Sequence, residues 1–98
     1  MILLLKLNDG TEIITDAEES EEHPIYSCIN SLQIITRQDS EGSMSMGLAP
    51  FMPYVDQETA ILIPTSMTIV AIPGKDITEH YNKVFSKIIL PESKKIII

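Results

Sequence analysis

Ninety-eight residues with a net charge of −7 and a single cysteine describe one domain, long enough to bury about two-thirds of the surface its unfolded chain exposes. One cysteine excludes an internal disulfide and a cysteine-based zinc knuckle, so Cys28 reads as a buried structural thiol in a reducing compartment. The acidic balance argues against non-specific binding to nucleic acid, DNA included, because such binding is driven by cations displacing counterions from phosphates.

The apolar start, Met1 to Leu7, is far shorter than the roughly 20 residues of a membrane span, and no basic segment precedes it. A soluble, cytoplasmic protein with no membrane partner is expected. Charge is unevenly placed: residues 1–41 hold nine acidic residues against Lys6 and Arg37, whereas residues 75–98 hold five lysines against Asp76, Glu79 and Glu92. Any basic surface must come from the last quarter of the chain.

Alternation puts Leu3, Leu5 and Leu7 on one face of a first strand and Ile2, Leu4 and Lys6 on the other. Asn8-Asp9-Gly10 then signals a hairpin turn. A second strand begins near Thr11 and runs into Glu18-Glu19-Ser20-Glu21-Glu22, which reads as a solvated loop. Ile25 to Thr36 is β-branched and aromatic enough for a third strand, with Ile34-Ile35 breaking alternation and suggesting a bulge or bend there. Ser43 to Leu48 alternates cleanly, placing Met44, Met46 and Leu48 on one face and small residues on the other. Pro50 and Pro53 interrupt the stretch from Ala49 to Asp56. Ala60 to Ile72 supplies the last strand, either as one bent strand or as two short ones pivoting at Pro64, since proline has no N–H to give a ladder.

After Pro73-Gly74 the period changes. Ile77, Tyr81, Val84, Phe85, Ile88 and Ile89 fall at helical spacing, with Asp76 as expected N-cap, Glu79 completing a capping box, and Pro91 closing the helix. The tail, Glu92 to Ile98, places three isoleucines after Lys94-Lys95; it reads either as a docking strand or as a disordered end. Five short strands, tight turns and one helix predict a mainly β fold, a small, strongly bent antiparallel sheet or barrel. Its expected bounds are about 1–73 for the barrel, 76–90 for the α-helix and 91–98 for the tail.

Catalytic constellations are not legible. His23 and His80 lie at no spacing that suggests a metal or nucleophile site, the acidic run lacks the glycine and alternating ligands of a calcium loop, and the four glycines are scattered singly. No cofactor, metal or enzymatic activity is expected. Met44, Met46, Met52 and Met67 suit core packing or a subunit interface, and an adaptable binding surface is the other use of such methionines. The strand Ser43 to Leu48 is a natural edge that no charge shields, which favours pairing with a second copy of the chain.

The stretch Leu5-Lys6-Leu7-Asn8-Asp9-Gly10-Thr11-Glu12 resembles the first hairpin of Sm-like proteins, and Ile61 to Ile72 is similar to their second motif. Gly47-Leu48-Ala49-Pro50-Phe51-Met52-Pro53-Tyr54 and Tyr81-Asn82-Lys83-Val84-Phe85 resemble segments of small Sm-like proteins encoded by tailed bacteriophages, particularly those of marine cyanobacteria. The matching segments run from Leu3 to Ile89. The resemblance implies an SH3-type barrel whose strands pair from one subunit to the next in a closed homomeric ring, pentamer to heptamer, in the cytoplasm of the infected bacterial host. Met44, Met46, Leu48, Ile61 and Ile63 are then the expected interface residues.

It also implies single-stranded RNA as the usual ligand, with a role in RNA metabolism. In Glu21-Glu22-His23-Pro24-Ile25-Tyr26 an acid and His23 match the family's loop after the second strand, and the register is open by a residue, one choice placing Tyr26 where the family has Asn. His23 and Tyr26 could stack a base, or serve as a loop histidine and a half-buried strand tyrosine. Thr65 and Ser66 could donate hydrogen bonds at the pore. The chain departs from the family where Pro64-Thr65 stands in place of Arg-Gly, and no Asn falls at the expected loop position, so the group that grips RNA by charge and planar hydrogen bonding is missing. A ring could still gather Lys83, Lys87, Lys94 and Lys95 on one face. The alternative reading is a non-catalytic ring or scaffold for protein interactions that binds no nucleic acid.

Overall fold

A computed structural model describes residues 1–85. It contains six antiparallel strands: β1 (Ile2–Leu7), β2 (Glu12–Glu19), β3 (Ile25–Gln38), β4 (Met44–Pro50), β5 (Ile61–Pro64) and β6 (Thr68–Ala71). A 3-10 turn, Thr65–Met67, joins β5 to β6, and a helix, α1, runs from residue 75 to the last described residue. The expected helix end at residue 90 and the 91–98 tail lie outside the described residues. No described helix is long and apolar enough to cross a membrane.

The sheet order is β4-β3-β2-β1-β6, with β5 also paired to β3. Six strands replace the expected five because the run from Ala60 to Ile72 divides at Pro64. Pro64 ends β5 opposite Ile25 and caps the 3-10 turn with φ −61° and ψ 135°. A residue that cannot donate is tolerated there, since the ladder stops and the next N–H, that of Thr65, bonds to Pro24 O at 2.9 Å.

β2 takes one side of β3 from Tyr26 to Gln33, and β4 and β5 both lie on its other side. β4 pairs with Leu32 to Gln38 and β5 with Ile25 to Cys28. They are two halves of one edge position, separated by an excursion over residues 51–60. The excursion is pinned at both ends: Phe51 N–H donates to Ser31 O at 3.0 Å, and Asn30 N–H donates to Gln57 O at 2.7 Å.

The break in β3 is not at Ile34-Ile35, where the β3–β4 register runs without interruption. It is at Asn30-Ser31. Pairing jumps from Ile14↔Leu32 to Asp16↔Ile29, so Thr15 alone faces two residues of β3. Asn30 takes φ 52°, a left-handed conformation that asparagine tolerates better than most residues. The extra residue inverts the facing of everything after it. Tyr26 and Cys28 point into one core and Leu32 and Ile34 into another, although all four share sequence parity.

The first core, inside the bent sheet, contains Leu3, Leu5, Ile13, Ala17, Tyr26, Cys28 and Ile63, with Leu7, Phe51 and Ile61 against it. The second lies between the sheet's outer face and α1: Ile14, Leu32 and Tyr81, flanked by Ile2, Leu4, Ile34, Leu48, Ile77, Val84 and Phe85. The alternation read in Ile2 to Leu7 therefore serves two cores, one on each face. α1 begins one residue earlier than expected. Thr78 N–H and Thr78 Oγ1 both donate to Gly74 O, at 3.1 and 2.8 Å, so Gly74 holds the N-cap position and Asp76 sits in the first turn.

The bulge is held by a buried hydroxyl pair. Thr15 Oγ1 donates to Ile29 O at 2.9 Å and lies 2.8 Å from Ser31 Oγ. Thr15→Val keeps the shape but leaves Ser31 and the Ile29 carbonyl short of a partner, and should cost about 1–3 kcal/mol. Adding Ser31→Ala should recover part of that loss. A double-mutant cycle by urea denaturation measures it, and strict additivity would mean that the two hydroxyls act independently.

Candidate nucleic-acid interface

The β2–β3 connection and the 3-10 turn are distant in sequence but joined in space. Ser20 Oγ accepts from the N–H groups of Glu22 and His23, both at 3.2 Å, and Ile25 N–H donates to His23 O at 2.8 Å. This tightens the connection around Pro24. Pro24 O then accepts from both Thr65 N–H and Thr65 Oγ1, at 2.9 and 3.2 Å. Thr68 Oγ1 donates to Thr65 O at 3.0 Å, and Asn8 N–H donates to Met67 O at 3.1 Å, so the turn is fixed along its length.

Of the four residues assigned to RNA, His23 and Ser66 are exposed at this junction. Thr65 is half-buried, and its hydroxyl proton is committed to Pro24 O, leaving the oxygen as an acceptor only. Tyr26 requires a larger correction. Its side chain is part of the interior core and is 9% exposed, which leaves little of it open to a base. The alternation of β3 carries Tyr26 inward together with Cys28. Of its two sequence readings the strand tyrosine holds, and the burial is deeper than half.

The electrostatic setting is acidic. Glu18, Glu19, Glu21 and Glu22 are all exposed on the end of β2 and the connection that carries His23. Among the cations, Lys6, Arg37, Lys75 and Lys83 are exposed on other elements, whereas Lys87, Lys94 and Lys95 lie outside the described residues. Burial pushes the Cys28 thiol up from its ordinary value, outweighing the hydrogen bond with Thr15, which suits a structural role. Asp9 is held below the usual carboxylate range by the Thr11 backbone N–H and then its side chain, a local bond within the β1–β2 turn. Among the described residues, no group of three or more His, Cys, Asp or Glu is placed to hold a metal ion.

The assigned interface residues also divide. Met44 and Met46 are exposed on β4. Leu48 packs into the second core, while Ile61 lies against the first and Ile63 is buried in it. The side chains of these last three are thus committed to packing within the chain, and only the backbone edge of their strands is open to a neighbour. Sequence reasoning missed the outward residues: Leu62 on β5, Ile69 and Val70 on β6, and Ile72 just beyond. The parity of β5 follows from pairing with Tyr26 and Cys28, a long-range fact that local alternation in an all-aliphatic run does not contain. No family model and no curated protein matches the chain.

Proposed function

We propose that the chain is a non-catalytic Sm-like subunit that closes its bent sheet into an SH3-type barrel and assembles head-to-tail into a homomeric ring. The observation that carries this reading is a pair of edges, unpaired among the described residues and dressed with exposed aliphatic side chains. On one side lie β4 and β5, with Met44, Met46 and Leu62; on the other lies β6, with Ile69 and Val70 and then Ile72. An exposed apolar edge favours pairing, and two different edges on one chain form a heterologous contact, which closes into a ring when the rotation allows. Barrel closure is supported by the passage from β5, on β3, to β6, on β1, through only the three residues Thr65–Met67.

Single-stranded RNA is the candidate ligand, held where the His23 loop meets the Thr65–Met67 turn, with His23 as stacking group and Ser66 as hydrogen-bond donor. The competing reading, a ring that scaffolds proteins and binds no nucleic acid, is favoured by the four glutamates around that loop, which repel phosphates. Phage origin rests on the sequence resemblance alone, and a cytoplasmic site of action on that resemblance together with the short apolar start and the single cysteine.

Native mass spectrometry with and without a short uridine-rich RNA separates these readings. Discrete masses between pentamer and heptamer are expected, with Ile69→Lys reducing them to monomer. A wild-type chain that stays monomeric at micromolar concentration sinks the assembly. An RNA adduct that is lost in His23→Ala/Ser66→Ala supports the ligand site; rings without any adduct favour the scaffold. Tyr26 is left intact in this test because its loss would damage the core.

A further inference from the structure

An open pocket of about 550 Å³ lies at one mouth of the interior core. That volume falls within the roughly 300–1,000 Å³ of sites that hold a small molecule. Its apolar lining comes from four strands: Leu3 of β1, Ala17 of β2, Tyr26 of β3 and Val70 of β6. Leu3, Ala17 and Tyr26 belong to the first core. Val70 pairs across the ladder with Leu5 of the same core, so its side chain shares that inner face. The β6-β1-β2-β3 ladder fixes all four positions, and the pocket exists before anything enters it.

The polar part of the lining is acidic. Glu18 and Glu19 both border the pocket and are exposed, and Glu19 stands directly opposite Tyr26 in the β2–β3 register. The one cation at this mouth, the Met1 amine, is already matched: it donates to Asp16 Oδ1 at 2.9 Å and to Ala17 O at 3.3 Å. Among the described residues that contact is the only ion pair, so no described cation offsets Glu18 or Glu19.

We propose that the pocket binds a small amphipathic organic cation, an ammonium group carrying a short alkyl chain. The chain lies on Leu3, Ala17 and Val70, where it leaves water, and the ammonium group sits at the rim beside Glu18 and Glu19. Charge complementarity selects this class. An anion of the same shape meets two carboxylates at the rim and a chain of net charge −7. A neutral molecule gains the apolar contact and nothing from the rim. A cation without an alkyl chain finds only exposed carboxylates, whose attraction water and salt screen. Binding here uses inner-face side chains and not the backbone edges of β4, β5 or β6, so it does not depend on ring assembly.

The test is methyl-detected NMR of the full chain titrated with hexyltrimethylammonium, with hexanoate and tetramethylammonium as comparisons. Saturable shifts of the Leu3, Ala17 and Val70 methyl signals are expected with hexyltrimethylammonium. Hexanoate, with reversed charge, should bind at least several-fold more weakly, and tetramethylammonium, without the chain, should leave those methyls unmoved. Glu18→Gln/Glu19→Gln changes two exposed side chains and should weaken hexyltrimethylammonium at least several-fold while the core methyl spectrum of the free protein stays as in wild type. Equal affinity for hexanoate, or equal affinity in the double variant, overturns the proposal, as does the absence of saturable shifts. Shifts confined to Leu62, Ile69 and Ile72 report adsorption on the exposed strand edges and overturn the assigned site.

Discussion

Tyr81→Ala should lower the free energy of unfolding by about 3–5 kcal/mol, the range for removing a large buried aromatic side chain. Tyr81 is 4% exposed and is the only described residue of α1 buried to that degree, lying against Ile14 and Leu32. Its ring sits 4.9 Å from that of Phe85 at 57°, a tilted pair that adds to the packing. Its hydroxyl donates to Asn30 O at 2.8 Å, so the helix is tied to the extra residue of the β3 bulge. Tyr81→Phe removes only that bond and should cost about 1 kcal/mol. Urea denaturation measures both, and equal losses for the two variants would show that the hydroxyl, not the ring, holds the helix.

Alkaline titration checks the same contact independently. Burial, and then the charge of Asp16, push the Tyr81 phenol from an ordinary value of 10.0 up to about 12. The neutral form is thus favoured in the folded state, and its contribution is complete below pH 10 and lost as pH rises through about 12. The loss should be on the order of a kcal/mol or more. Other groups titrate in this window, so the informative quantity is the difference between wild type and Tyr81→Phe. A difference that stays constant from about pH 9 to 12 would contradict the assigned burial.

Leu5→Ala should cost about 2–5 kcal/mol, because Leu5 is fully buried in the first core and its loss opens a cavity between β1 and its neighbours β2 and β6. The two substitutions probe different cores. Tyr81→Ala acts on the face between sheet and helix, Leu5→Ala on the inside of the bent sheet. If the cores unfold together, the combined variant should lose close to the sum of the two. If α1 detaches first, Tyr81→Ala should lower far-ultraviolet helix signal at urea concentrations where the strands persist. Circular dichroism at helix and strand wavelengths separates the two cases.

Residues that obey local rules are legible in the sequence. Alternation in Ile2 to Leu7, the turn at Asn8-Asp9-Gly10 and the helical period of Ile77, Tyr81, Val84 and Phe85 all correspond to described elements. Pro64 marks a division because its chemistry is local: a residue without an N–H must fall where the ladder ends. The bulge is harder to place because Ile34-Ile35 breaks alternation more visibly than Asn30-Ser31, yet the second pair carries the polarity. A side-chain amide followed by a hydroxyl within a β-branched run is the available signal. Site residues are less legible for the same reason. Which face of β3 or β5 looks inward depends on a residue inserted elsewhere, so Tyr26, Ile61 and Ile63 read as ligand-facing or interfacial when their side chains pack inside.

The clamp around residues 51–60 has a consequence for variation in chain length. Its two backbone bonds, Phe51 to Ser31 and Asn30 to Gln57, fix where the excursion leaves the sheet and where it returns. Tyr54, between them, is fully exposed. Residues added or removed near Tyr54 would lengthen or shorten a solvent-facing arch without shifting the register of β4 or β5. Lengthening a loop costs little, about 0.6 kcal/mol for each doubling. This arch is therefore the position at which the chain can accept a tag, an epitope or a natural insertion while both halves of the broken edge stay in place.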